Sequence, residues 1–213
     1  MKDILVKDFM VPVEDYVTVA EEATLYEAVT ALDKAQTETF KEAASLQVFP
    51  HRAVLVLGRD GAVIGKLSQL DILKALEPKY KSIFSSDSLA RMAEVGLSQQ
   101  FLRDMLSSYS LFDKPLSDIC KKAVSIHVKD CMHAPGDNEV VKEDDSLELA
   151  IHHFVIGRHQ SLLVTRQGRN VAGILRLVDV FKYVARTIQA CQVDFKQSGK
   201  GGHGSTKGES EEA

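Results

Sequence analysis

Tryptophan is absent, and cysteine is scarce. The three cysteines, Cys120, Cys131 and Cys191, show no Cys-x-x-Cys spacing. An odd, scattered set excludes a disulfide framework and reads as reduced thiols in a cytoplasm. No run of 18 apolar residues occurs, which excludes a membrane-spanning helix. The first three residues, Met-Lys-Asp, already carry charge, and no apolar signal-peptide core follows. Neither sign of charge is in large excess. A net charge of −4 gives no bulk attraction to nucleic acid or to an anionic membrane. Gly-x-Ser-x-Gly, the phosphate-binding Walker pattern and the dinucleotide glycine fingerprint are all missing, so no catalytic signature stands out. His152 and His153 are adjacent and diverge on a helix, and neither His133 nor His159 sits in a zinc-type spacing, so no metal site is expected. What remains is a chain of 213 residues, 45% apolar, able to bury a sizeable core.

The informative stretch is Gly65 to Asp71, Gly-Lys-Leu-Ser-Gln-Leu-Asp. It closes one apolar run and opens another, as at a strand end that feeds a helix. Gly65 lets a ligand approach the backbone closely. Ser68 and Asp71 share the first helical turn, where free N–H groups favour an anion. A carboxylate there can accept two hydrogen bonds from a sugar diol. Equally, Ser68 and Asp71 can simply cap the helix. The stretch recurs as Gly173 to Asp179, 108 residues later. Val6-Lys7-Asp8-Phe9-Met10 recurs as Val128-Lys129-Asp130-Cys131-Met132 at an offset of 122. Val54-Leu55-Val56 aligns with Ser161-Leu162-Leu163 at 107, which implies an insertion of 15 residues in the first unit around 37–50 and one extra residue in the turn at 168–170. Searching for such periods precedes any fold assignment. The result is two units of β-α-β-β-α, a mixed α/β (α+β) architecture.

Further elements follow the chain. Thr24-Leu25-Tyr26-Glu27 is a capping box, and Leu25, Ala28, Val29 and Leu32 keep helical spacing. The Glu- and Ala-rich insertion lengthens that helix until Pro50 stops it. Arg52 to Leu57 reads as a buried strand, Ala62 to Leu67 as its hairpin partner, and Asp71 starts a helix ending before Pro78. Residues 79–125 break the repeat. Ser98 caps a helix whose stripe is Phe101, Leu102, Met105 and Leu106, suited to a packed spacer or to a partner-docking face. The last helix begins at Asp179 and runs to about Gln192. The Gly-, Lys-, Ser- and Glu-rich residues 193–213 cannot build a core and read as a disordered tail.

The repeated residues, with Asp60-Gly61 and Ser146-Leu147, resemble a tandem pair of cystathionine-β-synthase-type (CBS) domains, a Bateman module. On that resemblance, residues 1–78 are the first repeat, 79–125 a helical connecting segment and 126–192 the second repeat. The family packs two repeats about a pseudo-two-fold axis with clefts that hold adenosine nucleotides. The resemblance implies ribose binding by Asp71 and Asp179, close backbone approach at Gly65 and Gly173, and phosphate contact by Ser68. Arg176 stands where the second repeat should have Ser or Thr; it either clamps phosphate or fills the cleft. Adenine is expected near Thr18 and Val19, and near Val140 and Val141. His51-Arg52 aligns at 107 with Arg158-His159, a basic pair in each repeat that reaches phosphates in the family or forms a solvated rim. The expectation is a non-catalytic, cytoplasmic sensor of AMP, ADP or ATP. It would form a homodimer and signal to an effector protein without binding nucleic acid or entering a membrane. The rival is a scaffold with degenerate, empty clefts.

Overall fold

The computed structural model describes residues 4–46, 50–84, 98–112, 118–167 and 170–198, with backbone only at 39–46, 81, 82, 84 and 191–198. The Gly-rich tail from 199 and the Ser-rich stretch 85–97 lie outside the described residues. A short strand β1, Val11–Pro12, precedes the first repeat. That repeat comprises β2 (Thr18–Ala20), α1 (Leu25–Leu46), β3 (Ala53–Leu57), β4 (Val63–Ser68) and α2 (Gln69–Ala75). The connecting segment holds α3 (Lys79–Phe84), α4 (Gln99–Ser108) and α5 (Ile119–Ser125), followed by a single turn, α6 (Val128–Cys131). The second repeat comprises β5 (Val140–Lys142), α7 (Leu147–Gly157), β6 (Ser161–Arg166), β7 (Asn170–Arg176) and α8 (Leu177–Ser198). The insertion does lengthen α1, and α8 runs six residues past its expected end.

Strand pairing repeats exactly once the offset is corrected. β2 joins β3 and β5 joins β6 in parallel, with Thr18 opposite Leu55 and Val140 opposite Leu163. The hairpins are antiparallel, with Ala53 opposite Ser68 and Ser161 opposite Arg176. Ala53 and Ser161 therefore correspond, at an offset of 108 and not 107. The insertion is 14 residues, and the 168–170 turn gains none. These strands are almost continuously apolar because both faces are buried, so a one-residue slip leaves no trace in the hydrophobic pattern. The correction makes His159 the counterpart of His51, Gln160 that of Arg52, and Pro50 that of Arg158.

The repeats exchange their leading segments. Val6 is fully buried in the core of the second repeat, beside Val141, Leu147 and Leu175. Val128 is fully buried in the core of the first, beside Leu25, Ala28 and Leu67. The hydrogen bonds are matched pairs: Leu147 N–H donates to the Ile4 carbonyl at 2.9 Å, and Leu25 N–H to that of Ile126 at 2.8 Å. Each segment then runs on to the hairpin of the other repeat. β1 adds to β7, giving the sheet order β1-β7-β6-β5, and His133 bridges Lys66 of β4 beside the sheet β2-β3-β4. Between the repeats, Tyr16, Leu55, Leu163 and Ile174 form a joint cluster. The Ser98 cap of α4 is present, its hydroxyl accepting from Phe101 N–H. Met105 of the α4 stripe packs with Ile83 and Leu111 in a small separate core, whereas Leu102 and Leu106 are exposed.

Candidate functional site

The turn from β4 into α2 is built by its own sequence. Ser68 is the N-cap, and its hydroxyl accepts from Asp71 N–H at 3.2 Å. The Asp71 carboxylate accepts in return from Ser68 N–H at 3.0 Å and from the Ser68 hydroxyl at 2.5 Å. This is a complete capping box. Both bonds to Ser68 use Asp71 Oδ2, and Oδ1 lies 4.0 Å from Lys74 Nζ.

A cavity of about 410 Å³ opens beside this turn, lined by both repeats. The first repeat supplies Arg52, Lys66, Ser68 and Asp71. The second supplies Glu139, Arg158, His159 and Arg176. Arg158 takes a left-handed backbone (φ 51°) as the C-cap of α7, which turns the chain from helix to strand. Arg52 and Arg158 are exposed at the rim, and neither has an ion-pair partner among the described residues. The floor is different. Lys66, a lone charge within an apolar strand, pairs with Glu139 at 3.3 Å and donates to the Ser161 carbonyl at 3.0 Å, so it ties the repeats together. Glu139 also receives His133 Nε2, and His159 Nδ1 lies 3.4 Å from its other oxygen. Burial pushes the Glu139 carboxyl up, but the His133 hydrogen bond and the Lys66 charge outweigh it, and the net shift is downward.

Arg176 decides the state of the second cleft. Its guanidinium donates to both Asp179 oxygens, Nε at 2.5 Å and Nη2 at 2.9 Å, in a two-point fork. Arg176 is 9% exposed. It fills the place of a Ser hydroxyl and engages the carboxylate expected to bind ribose. His51 lies behind the cavity, its ring edge-on to Tyr16 at 4.2 Å. Burial, and then the Arg176 charge, push the His51 imidazole below its ordinary range. Its counterpart His159 is lowered mainly by burial as well. His51 Nδ1 and His159 Nε2 are buried without a hydrogen-bond partner. Burial raises the Tyr16 hydroxyl to about 12, so it stays protonated.

Ser68, Asp71, Arg52, Arg158, His159 and Arg176 thus share one cavity. Thr18, Val19 and Val140 do not line it; they sit in β2 and β5, and the valines pack against the cores. Tyr16 and Glu139, just before those strands, line it instead. Gly65 and Gly173 serve neighbouring backbone, not a ligand. A Cβ on Gly65 would lie 2.7 Å from the His133 carbonyl oxygen, and one on Gly173 2.5 Å from that of Val11. The exchanged segments occupy the space that the glycines leave. Sequence reading missed Lys66 and Glu139. The lysine inside Val63-Ile64-Gly65-Lys66-Leu67 was the available signal, because a charge in a buried strand demands a partner. Among the described residues, no three His, Cys, Asp or Glu side chains are arranged to hold a metal ion.

Comparison with known proteins places this geometry. The CBS domain family model matches residues 6–78. A hypothetical conserved protein from Geobacillus kaustophilus superposes with a TM-score of 0.53 at 17% identity, covering 87% of this chain and 98% of its own. A CBS domain-containing protein of unknown function from Bacillus anthracis gives 0.53 at 17%, covering 86% and 94%. The CBS domain of the bacterial CNNM/CorC family Mg2+ transporter in complex with ATP gives 0.51 at 13%, covering 85% and 87%. No curated protein matches the chain. Residues 6–78 thus match the CBS domain family, and the two exchanged repeats together have the fold of these CBS-domain structures.

Proposed function

We propose that the chain is a non-catalytic regulatory protein that binds an adenosine nucleotide in the cavity between its repeats. The observation that carries this reading is the meeting of Ser68 and Asp71 with guanidinium groups from both repeats around one cavity. Asp71, its Oδ2 held by Ser68, is the residue we assign to accept from a ribose diol. Arg52 and Arg158, solvated and without ion-pair partners among the described residues, hold the phosphates by charge-assisted bonds. The ATP complex of a similarly folded CBS domain supports the ligand class. A nucleotide held by both repeats favours one relative orientation and so alters the face offered to a partner. Among the described residues, no helix is long and apolar enough to cross a membrane. We place the protein in the cytoplasm, acting on an effector protein.

The alternative, a scaffold with closed clefts, draws on the Arg176–Asp179 fork, which applies to the second cleft. Mass spectrometry of small molecules released from freshly purified protein separates the two readings, and calorimetric titration with AMP, ADP and ATP quantifies binding. Asp71→Ala removes a charged acceptor and should weaken binding by about 10- to 150-fold, equivalent to roughly 1.5–3 kcal/mol. Asp179→Ala should change affinity far less. Wild-type affinity in Asp71→Ala, with binding lost in Asp179→Ala, would assign the competent cleft to the other repeat.

A further inference from the structure

The pseudo-two-fold relation supplies an internal control for every surface of the molecule, and one groove fails to match its counterpart. A cavity of about 630 Å³ lies between α2 and the exchanged segment of the first repeat, on the side of Asp71 where Lys74 stands. It is walled by Lys74, Ala75, Ile126, Cys131 and Met132, with Asp71 and Asp130 at its edge and Tyr80 closing one side. In the second repeat the corresponding residues are Lys182, Tyr183, Ile4, Phe9 and Met10, with Asp179 and Asp8. Asp71, Lys74, Ile126, Asp130 and Met132 recur unchanged, Pro78, Tyr80 and Ser125 are replaced by Arg186, Ile188 and Asp3, and two wall positions gain rings: Ala75 against Tyr183, and Cys131 against Phe9. There the Phe9 and Tyr183 rings meet edge-to-face, centroids 5.0 Å apart at 61°. The second repeat fills with two aromatic rings the place that the first leaves open.

We infer that this groove is a separate binding site for a small planar aromatic molecule, neutral or cationic. Its volume falls within the range of about 300–1,000 Å³ common for small-molecule sites. Ile126 and Ala75 give apolar walls, the Met132 sulfur suits a ring edge, and Tyr80 offers an aromatic partner. Asp71 and Asp130 outnumber Lys74, and this disfavours an anion. Asp71 borders both this groove and the cavity between the repeats, so an occupant here touches the helix that carries the Ser68–Asp71 turn. The site does not depend on what the other cavity binds.

The test uses the full chain and three probes of one size: 2-naphthol, 2-naphthylmethylamine and 2-naphthoate, followed by ligand-observed NMR. The neutral and cationic probes should bind the wild type, with the carboxylate about tenfold weaker. Ala75→Tyr with Cys131→Phe rebuilds the ring pair of the second repeat and should weaken both binders by about tenfold or more. If that double variant does not fold, Cys131→Phe alone should still weaken them. Equal binding by wild type and filled variant, failure of all three probes on the wild type, or preference for the carboxylate overturns the inference.

Discussion

At the residue scale, the two related imidazoles connect burial to pH. His51 and His159 occupy equivalent positions and are both held below their ordinary value of 6.5, chiefly by burial. In acid, the unfolded chain takes up protons at these residues that the folded chain refuses. Stability is therefore full above about pH 6.5 and declines as the pH falls toward the folded values. The Glu139 shift has a different window, because its stabilisation is present above about 4.5 and lost only below that. Thermal denaturation should give a lower Tm at pH 5.5 than at pH 7.5, and His51→Gln should narrow the gap. A Tm that does not move between those pH values would mean the folded imidazoles accept protons as readily as the unfolded ones. Residue patterns were partly legible here. Ser68 and Asp71 announced themselves by spacing, and they do form the cap that the spacing allows. The meaning of Gly65 and Gly173 was not legible, because sequence cannot say whose backbone comes close.

At the scale of elements, the exchange of leading segments is what makes the repeats one body. Val6 and Val128 each complete the core of the opposite repeat, and β1 and His133 extend the opposite hairpin. The glycines make that crossing possible. Gly173→Ala sets a methyl against a backbone carbonyl that cannot rotate away, and should cost about 1–3 kcal/mol. Gly65→Ala should cost a similar amount. Urea denaturation measures both, and wild-type midpoints would show that the strands separate at little cost. The short β1 had no signal of its own, since two residues carry no periodicity. The long α1 was legible because its insertion is rich in helix formers, and the register of β3 and β6 was not because unbroken apolar runs hide a slip.

At the scale of the molecule, exposed apolar side chains gather on the helices. Tyr26 and Val29 lie on α1, Leu70 and Leu73 on α2, Val155 and Ile156 on α7, and Phe181 on α8, all at least 40% exposed. So much apolar surface on related helices suits a self-complementary partner. We expect a homodimer, and Leu73→Glu with Ile156→Glu should make it monomeric by light scattering. A wild-type monomer at high micromolar concentration would remove that reading.

The sequence by itself determined the duplication, the element order and the capped turn at 68–71. Those depend on local chemistry and on spacing, which a linear chain displays. Only the tertiary structure decided that Arg176 closes on Asp179, that Lys66 meets Glu139 across the repeats, and that one groove stands open where its twin holds two rings. Each depends on which residues far apart in the chain become neighbours, and that follows from strand register and from the crossing of the leading segments.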